Sequence, residues 1–166
     1  VKAEVDVYYK EFKLSEAQKT IYSLIWDDFC SWYLEWVKPP FGEKLDSHLL
    51  TATLDFFEQL MQLLHPFMPF VTEEIYHQLR DRAEGDDLAI SQFGQLSQNF
   101  TNVSSVNEAQ ALALADTLKG AITAIRDARV KNNMKPKVLV KLYVQTDTSE
   151  KYNLIAPLLQ KQVAAE

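Results

Sequence analysis

The chain has 166 residues, 47% of them apolar, only 4 Gly and 6 Pro, one cysteine and a net charge of −6. That composition can bury a core and excludes wholesale disorder, disfavours a turn-rich β-sandwich, and leaves no internal disulfide, which fits a reducing, cytosolic setting. No apolar run approaches the ~20 residues that span a bilayer, and the acidic balance argues against a general nucleic-acid binder.

The N-terminus opens inside a helical pattern, has no initiator Met and lacks the h-region of a signal peptide, so a piece of a longer protein is expected. Ser15-Glu16-Ala17-Gln18 has the form of a capping box. Ile21, Ile25, Phe29, Trp32 and Trp36 then follow at helical spacing, with Tyr22, Trp26, Tyr33 and Val37 as a second stripe beside them. Two apolar faces predict a helix at 16–37 buried on more than one side, at the centre of a bundle running from about 15 to 132. Cys30 falls in that aromatic region as a small buried thiol. Pro39-Pro40 ends the helix, with Lys38 in its last turn.

Residues 39–47 form a loop containing Phe41-Gly42, and Ser47 is the expected cap of the next helix. Leu50, Leu54, Phe57, Met61 and Leu64 form its inner stripe. The corner 65–70 holds two prolines and joins it to a shorter helix opening at Thr72-Glu73-Glu74. Glu84–Asp87 is a turn, Leu88–Ile90 a possible very short strand, and the stretch to 107 linker-like. A long helix is expected from about Asn107 to Asn132, with Leu112, Ala115, Leu118, Ile122 and Ile125 inward. From Val138 to Val144 the period changes to two, which predicts a β-strand. A last helix spans about 150–164. The expected fold is therefore all-α, an antiparallel helical bundle over 1–135, followed at 136–166 by a truncated β-strand/helix appendage whose lone strand needs a partner.

Charge is unevenly placed. Residues 1–95 carry 17 acids against 8 bases, and 96–166 carry 6 against 9. Within 119–141 the bases are Lys119, Arg126, Arg129, Lys131, Lys135, Lys137 and Lys141, opposed by Asp127 alone. Charge alone favours a solvated face; the functional alternative is a phosphate-facing strip. Arg126 and Arg129 share a helix face by spacing, and Lys131 and Lys135 flank the loop at Asn132-Asn133.

Catalytic chemistry finds no support in the residues. His48, His65 and His77 are scattered without cysteine pairs, and Glu73 with His77 supplies only two possible ligands, so no metal site is expected. No glycine-rich phosphate loop occurs. Asp27 and Asp28 are adjacent on a helix and point about 100° apart. The aromatics at 26–36 read mainly as core, whereas Phe41, in a loop, is the better candidate for stacking on an unpaired base.

Three runs carry a resemblance. Ile25 to Glu35 followed by Lys38-Pro39, then Leu63 to Tyr76, then Ala124 to Arg129 followed by Pro136, are similar in order and spacing to the anticodon-binding domain of valyl-tRNA synthetases. The middle run is shared with isoleucyl and leucyl enzymes, while the first and third lean to the valyl member. The family's two ATP-handling signatures, its editing domain and its terminal coiled coil have no counterpart here. The resemblance implies a module that holds the valine tRNA anticodon stem-loop for ATP-dependent aminoacylation by other domains of a cytoplasmic parent enzyme. It implies no cofactor in this chain and no membrane partner, and a monomer is expected. The candidate RNA contacts are Lys38, Phe41, Arg126, Arg129, Lys131 and Lys135. The alternatives are the same module of an isoleucyl or leucyl enzyme, or a helical protein–protein scaffold.

Overall fold

A computed structural model of the chain describes residues 1–92, 107–147 and 149–166. It divides into two compact units, residues 1–103 and 104–166. The long helix thus groups with the C-terminal segment, and the division does not fall at the expected 135/136. Among the described residues there is no strand, and the described elements are helical.

The first unit holds α1 (Lys2–Lys10), α2 (Leu14–Ser23), a π-helical segment (Leu24–Tyr33), α3 (Leu34–Val37), α4 (Ser47–Leu64), α5 (Pro69–Leu79) and a 3₁₀ turn (Leu88–Ile90). The core is Val5, Ala17, Ile21, Phe29, Leu60, Met61, Leu63, Tyr76 and Leu88. Phe29 anchors it, 5.4 Å from Phe57 and 5.5 Å from Phe56 and Tyr33 between ring centroids. Such pairs add to the area term in binding helix to helix.

Several local expectations are corrected here. Ser15 does not cap α2, whose N-cap is Lys13 without a side-chain bond. Asp46, not Ser47, caps α4, accepting from the amides of His48 and Leu49. Leu88–Ile90 is a 3₁₀ turn. The aromatic helix buries one face, not two: Tyr22 and Trp26 are 61% and 58% exposed and stack on each other, while Trp32 is half-buried. One cause is the π-helical stretch itself. Hydrogen bonds spanning five residues widen the turn, so the 3.6-residue period used to assign faces slips along it.

The second unit contains α6 (Glu108–Lys131) and α7 (Ser149–Val163). Asn107 caps α6 by accepting from the amide of Ala109, as the Asn position suggests. Leu118 and Ile122 of α6 are buried, as are Ile155, Leu159 and Val163 of α7, whereas Leu112 is 61% exposed, outside the stripe expected of it. Asn133 ends α6 in the left-handed region, φ +52°. The amide of Met134 returns to Arg129 O and that of Asn133 to Val130 O, a Schellman closure that Asn tolerates.

The expected strand at 138–144 does not form. Among the described residues its β-pairing is one parallel bridge, Val140 to Ala165. Val140 and Leu142 donate to Ala164 O and Glu166 O, and Glu166 donates back to Val140 O. The alternation shows only at the centre of the segment: Leu139, Lys141 and Tyr143 are exposed and Val140 and Leu142 half-buried, but Val138 and Val144 are exposed as well. A ladder needs more partner chain than these few residues offer.

Candidate nucleic-acid interface

The first unit is braced by buried charges that the sequence reading passed over. Asp55 and Glu58 lie on the inner side of α4, at 9% and 4% exposure. Glu58 Oε1 accepts from Arg82 Nη2 at 2.5 Å and forms an ion pair with Arg80, whose Nε lies 2.8 Å away, while Arg80 also pairs with Asp55. The guanidinium of Arg82 sits 3.3 Å above the ring of Tyr76, and Arg82 Nη1 reaches Asp86. Tyr76 donates its hydroxyl to Asp86 Oδ1 at 3.1 Å. Burial pushes the Tyr76 phenol up to about 12; the Arg82 cation opposes that rise and Asp86 adds to it. Two acids inside an apolar stripe were the available signal, since unpaired carboxylates are almost never buried.

That bracing closes the side of the bundle formed by α4, α5 and the turn after them. At the other end of α4, the loop from Lys38 projects one aromatic. Glu43 N bonds Pro40 O at 3.1 Å, and Gly42 has φ +88°, the positive value a type II turn requires at its third residue. Phe41 occupies the second position of that turn and is fully exposed, so it meets solvent and not core. Lys38, just past α3, is exposed and lies 3.6 Å from Glu35.

In the second unit the four remaining candidates separate. Arg126 is exposed on α6. Arg129 is only 6% exposed and is not part of a surface strip. Its guanidinium donates to the carbonyls of Lys135, Val138, Val163 and Ala164 at 3.1, 2.9, 2.6 and 3.2 Å. Spacing puts Arg126 and Arg129 on one helix face, but the chain after α6 folds back over Arg129 and takes the donors of both its Nη atoms. Lys131 and Lys135 are exposed, as are Lys137 and Lys141, and none of these four forms an ion pair among the described residues. Exposed cations of this kind release counterions when they meet a phosphate. The two sets of candidates thus lie on different units: Lys38 and Phe41 on the first, the basic residues on the second.

His77, paired only with Glu73 in the sequence reading, gains a third neighbour. Its Nε2 lies 3.0 Å from Asp87 Oδ1 and 3.4 Å from Glu73 Oε1. Glu73 is already engaged, accepting the amides of Leu88 and Ala89 at 2.6 and 2.9 Å. The group ties α5 to the 3₁₀ turn by hydrogen bonds that need no ion. His65, in the two-proline corner, has the same local purpose: Nδ1 is 2.8 Å from Thr72 Oγ1, whose hydroxyl faces Met68 O.

Residues 1–144 match the family model described as the anticodon-binding domain of tRNA ligase. Curated relatives agree. The chain is 36% identical over 153 residues to a valine–tRNA ligase of Parabacteroides distasonis, covering 92% of this chain and 17% of that protein. It is 39% identical over 134 residues to that of Porphyromonas gingivalis, covering 81% and 14%. With the enzyme of Bdellovibrio bacteriovorus it shares 36% identity over 146 residues, 84% and 16% of the two chains. The chain thus spans about a sixth of the length of these relatives.

Proposed function

Since the chain belongs to the family of anticodon-binding domains of tRNA ligases, we propose that it grips the anticodon stem-loop of valine tRNA for a valine–tRNA ligase whose activation and editing chemistry lies in other domains. The observation that carries the reading is the match of residues 1–144 to that domain, joined to exposed, unpaired lysines on the second unit. Valine is supported over isoleucine and leucine by relatives named valine–tRNA ligase.

In this reading Lys131 and Lys135, with Arg126 beside them, meet phosphates, and Phe41 stacks on an unpaired base above the type II turn. Lys38 adds charge next to it. Phosphate contacts fix position, and base contacts supply discrimination. Arg129 holds the fold of the second unit and takes no RNA. The parent enzyme would consume ATP, and this chain supplies binding. Cytoplasmic residence and a monomeric state belong to the same proposal; no described helix is long and apolar enough to cross a membrane. Binding of labelled valine tRNA as a function of salt, against isoleucine tRNA, tests it.

A further inference from the structure

The segment at 142–146 runs beside α7 and leaves a groove of about 200 Å³ between them. We infer that this groove takes one unpaired nucleobase of the bound RNA. The inference rests on the RNA-binding reading above and names a site within it.

The lining selects the ligand class. Leu142 and Val144 supply apolar wall, Tyr152 an aromatic ring, and Asn153, Gln160 and Thr146 donors and acceptors; no charged side chain is among the lining residues. A phosphate or carboxylate entering such a groove would lose water without meeting a countercharge. A neutral planar heterocycle loses little on its faces and recovers its edge hydrogen bonds from side-chain amides, the way single-stranded bases are held. The volume is that of about seven waters, at the roughly 30 Å³ each takes in the liquid.

Placement relative to charge agrees. Along this extended segment alternate residues take opposite sides. Leu142 and Val144 line the groove, Val144 being 46% exposed at its rim, while Lys141 and Tyr143 lie on the other side, Tyr143 at 87%. An RNA strand crossing the segment therefore puts a base in the groove and meets a cation and a second stacking ring on the far side. The segment is held by the Val140–Ala165 bridge and the Leu142 N to Glu166 O bond at 3.1 Å.

The test titrates the chain separately with a short single-stranded RNA, the corresponding blunt duplex and inorganic polyphosphate. The side-chain amide signals of Asn153 and Gln160 are followed by ¹H–¹⁵N NMR. The single strand should shift both signals; duplex and polyphosphate should not. Asn153→Ala, an exposed position on α7, should weaken single-strand binding by about 3- to 10-fold, the worth of a lost hydrogen bond. Tyr152→Phe should bind like the parent, and Tyr152→Ala should lose about 5- to 150-fold, the worth of one stacked base. If polyphosphate moves the two signals as the single strand does, the groove is not a base site. The same holds if Asn153→Ala and Tyr152→Ala bind unchanged while Lys131→Ala and Lys135→Ala weaken tRNA; the RNA reading then survives without the groove. If no RNA binds the parent chain at low salt, both fall together.

Discussion

Arg129 Nη2 donates to the carbonyl of Val163 at 2.6 Å, a bond between residues 34 apart in the chain. With its three other carbonyl partners it ties the end of α6 to the end of α7 and to the turn at 135–138. Arg129→Ala should therefore destabilise the second unit by about 2–4 kcal/mol, since it leaves buried carbonyls without their charged donor. Amide exchange at Ala165 and Glu166 reports it. Arg129→Lys should not rescue, because one ammonium cannot reach four acceptors in this planar spread. The salt slope of RNA binding should stay as it was in Arg129→Ala at a temperature where the second unit remains folded; a slope lower there by roughly 0.7–0.9 would assign the residue to RNA after all.

The first unit makes a parallel forecast. Arg82→Ala would leave Glu58, only 4% exposed, with Arg80 as its remaining cation, and remove the cation over Tyr76. A buried charge stripped of every partner costs about 3–5 kcal/mol, so the loss here should be smaller, on the order of 1–3 kcal/mol. Urea denaturation of Arg82→Ala against Arg82→Ala/Glu58→Gln checks the cause: the double variant should recover part of the loss. No recovery would mean that packing of the guanidinium on the ring dominates.

Tyr76 gives a pH signature. Its phenol ionises at about 12 in the fold, against the ordinary value of 10.0. Between those values the unfolded chain releases the proton and the folded one keeps it, so stability falls as pH rises from about 10 to about 12. The loss is on the order of 2 kcal/mol. Below pH 10 this contribution is fully present. Comparing Tyr76→Phe with the parent isolates it from lysine titration: the two stability curves should converge as pH rises through this window. Curves that stay parallel would show that Tyr76 titrates normally.

Much of this fold was legible. The helices at 16–37, 48–64 and about 107–132 follow from apolar spacing. What escaped depended on partners distant in sequence. The π-helical slip through 24–33 leaves Trp26 in solvent although its spacing from Tyr33 reads as core. The strand at 138–144 had the right period, yet a strand exists only by pairing, and the sequence period says nothing of how much partner is present. At the site, the exposure of Phe41 was legible because it lies in a loop between helices and need not be core. Arg129 was not, since a basic residue near a helix end looks alike whether water or four carbonyls surround it.

The exposed candidates separate by kind of effect. Lys131→Ala and Lys135→Ala should each reduce the salt slope of log affinity by roughly 0.7–0.9 and weaken all tRNAs alike, with no change in melting temperature. Phe41→Ala should weaken binding by about 1–3 kcal/mol without altering that slope, as loss of one stacked base would. Unchanged affinity and slope in both lysine variants would make the strip a solvated surface only.

The most direct measurement is the affinity of the chain for valine tRNA by fluorescence anisotropy between about 50 mM and about 200 mM salt, with isoleucine tRNA as the control. The account predicts saturable binding that weakens steeply with salt and that favours valine tRNA at every salt concentration. Absence of binding at the lowest salt, or equal affinity for the two tRNAs throughout, would contradict it.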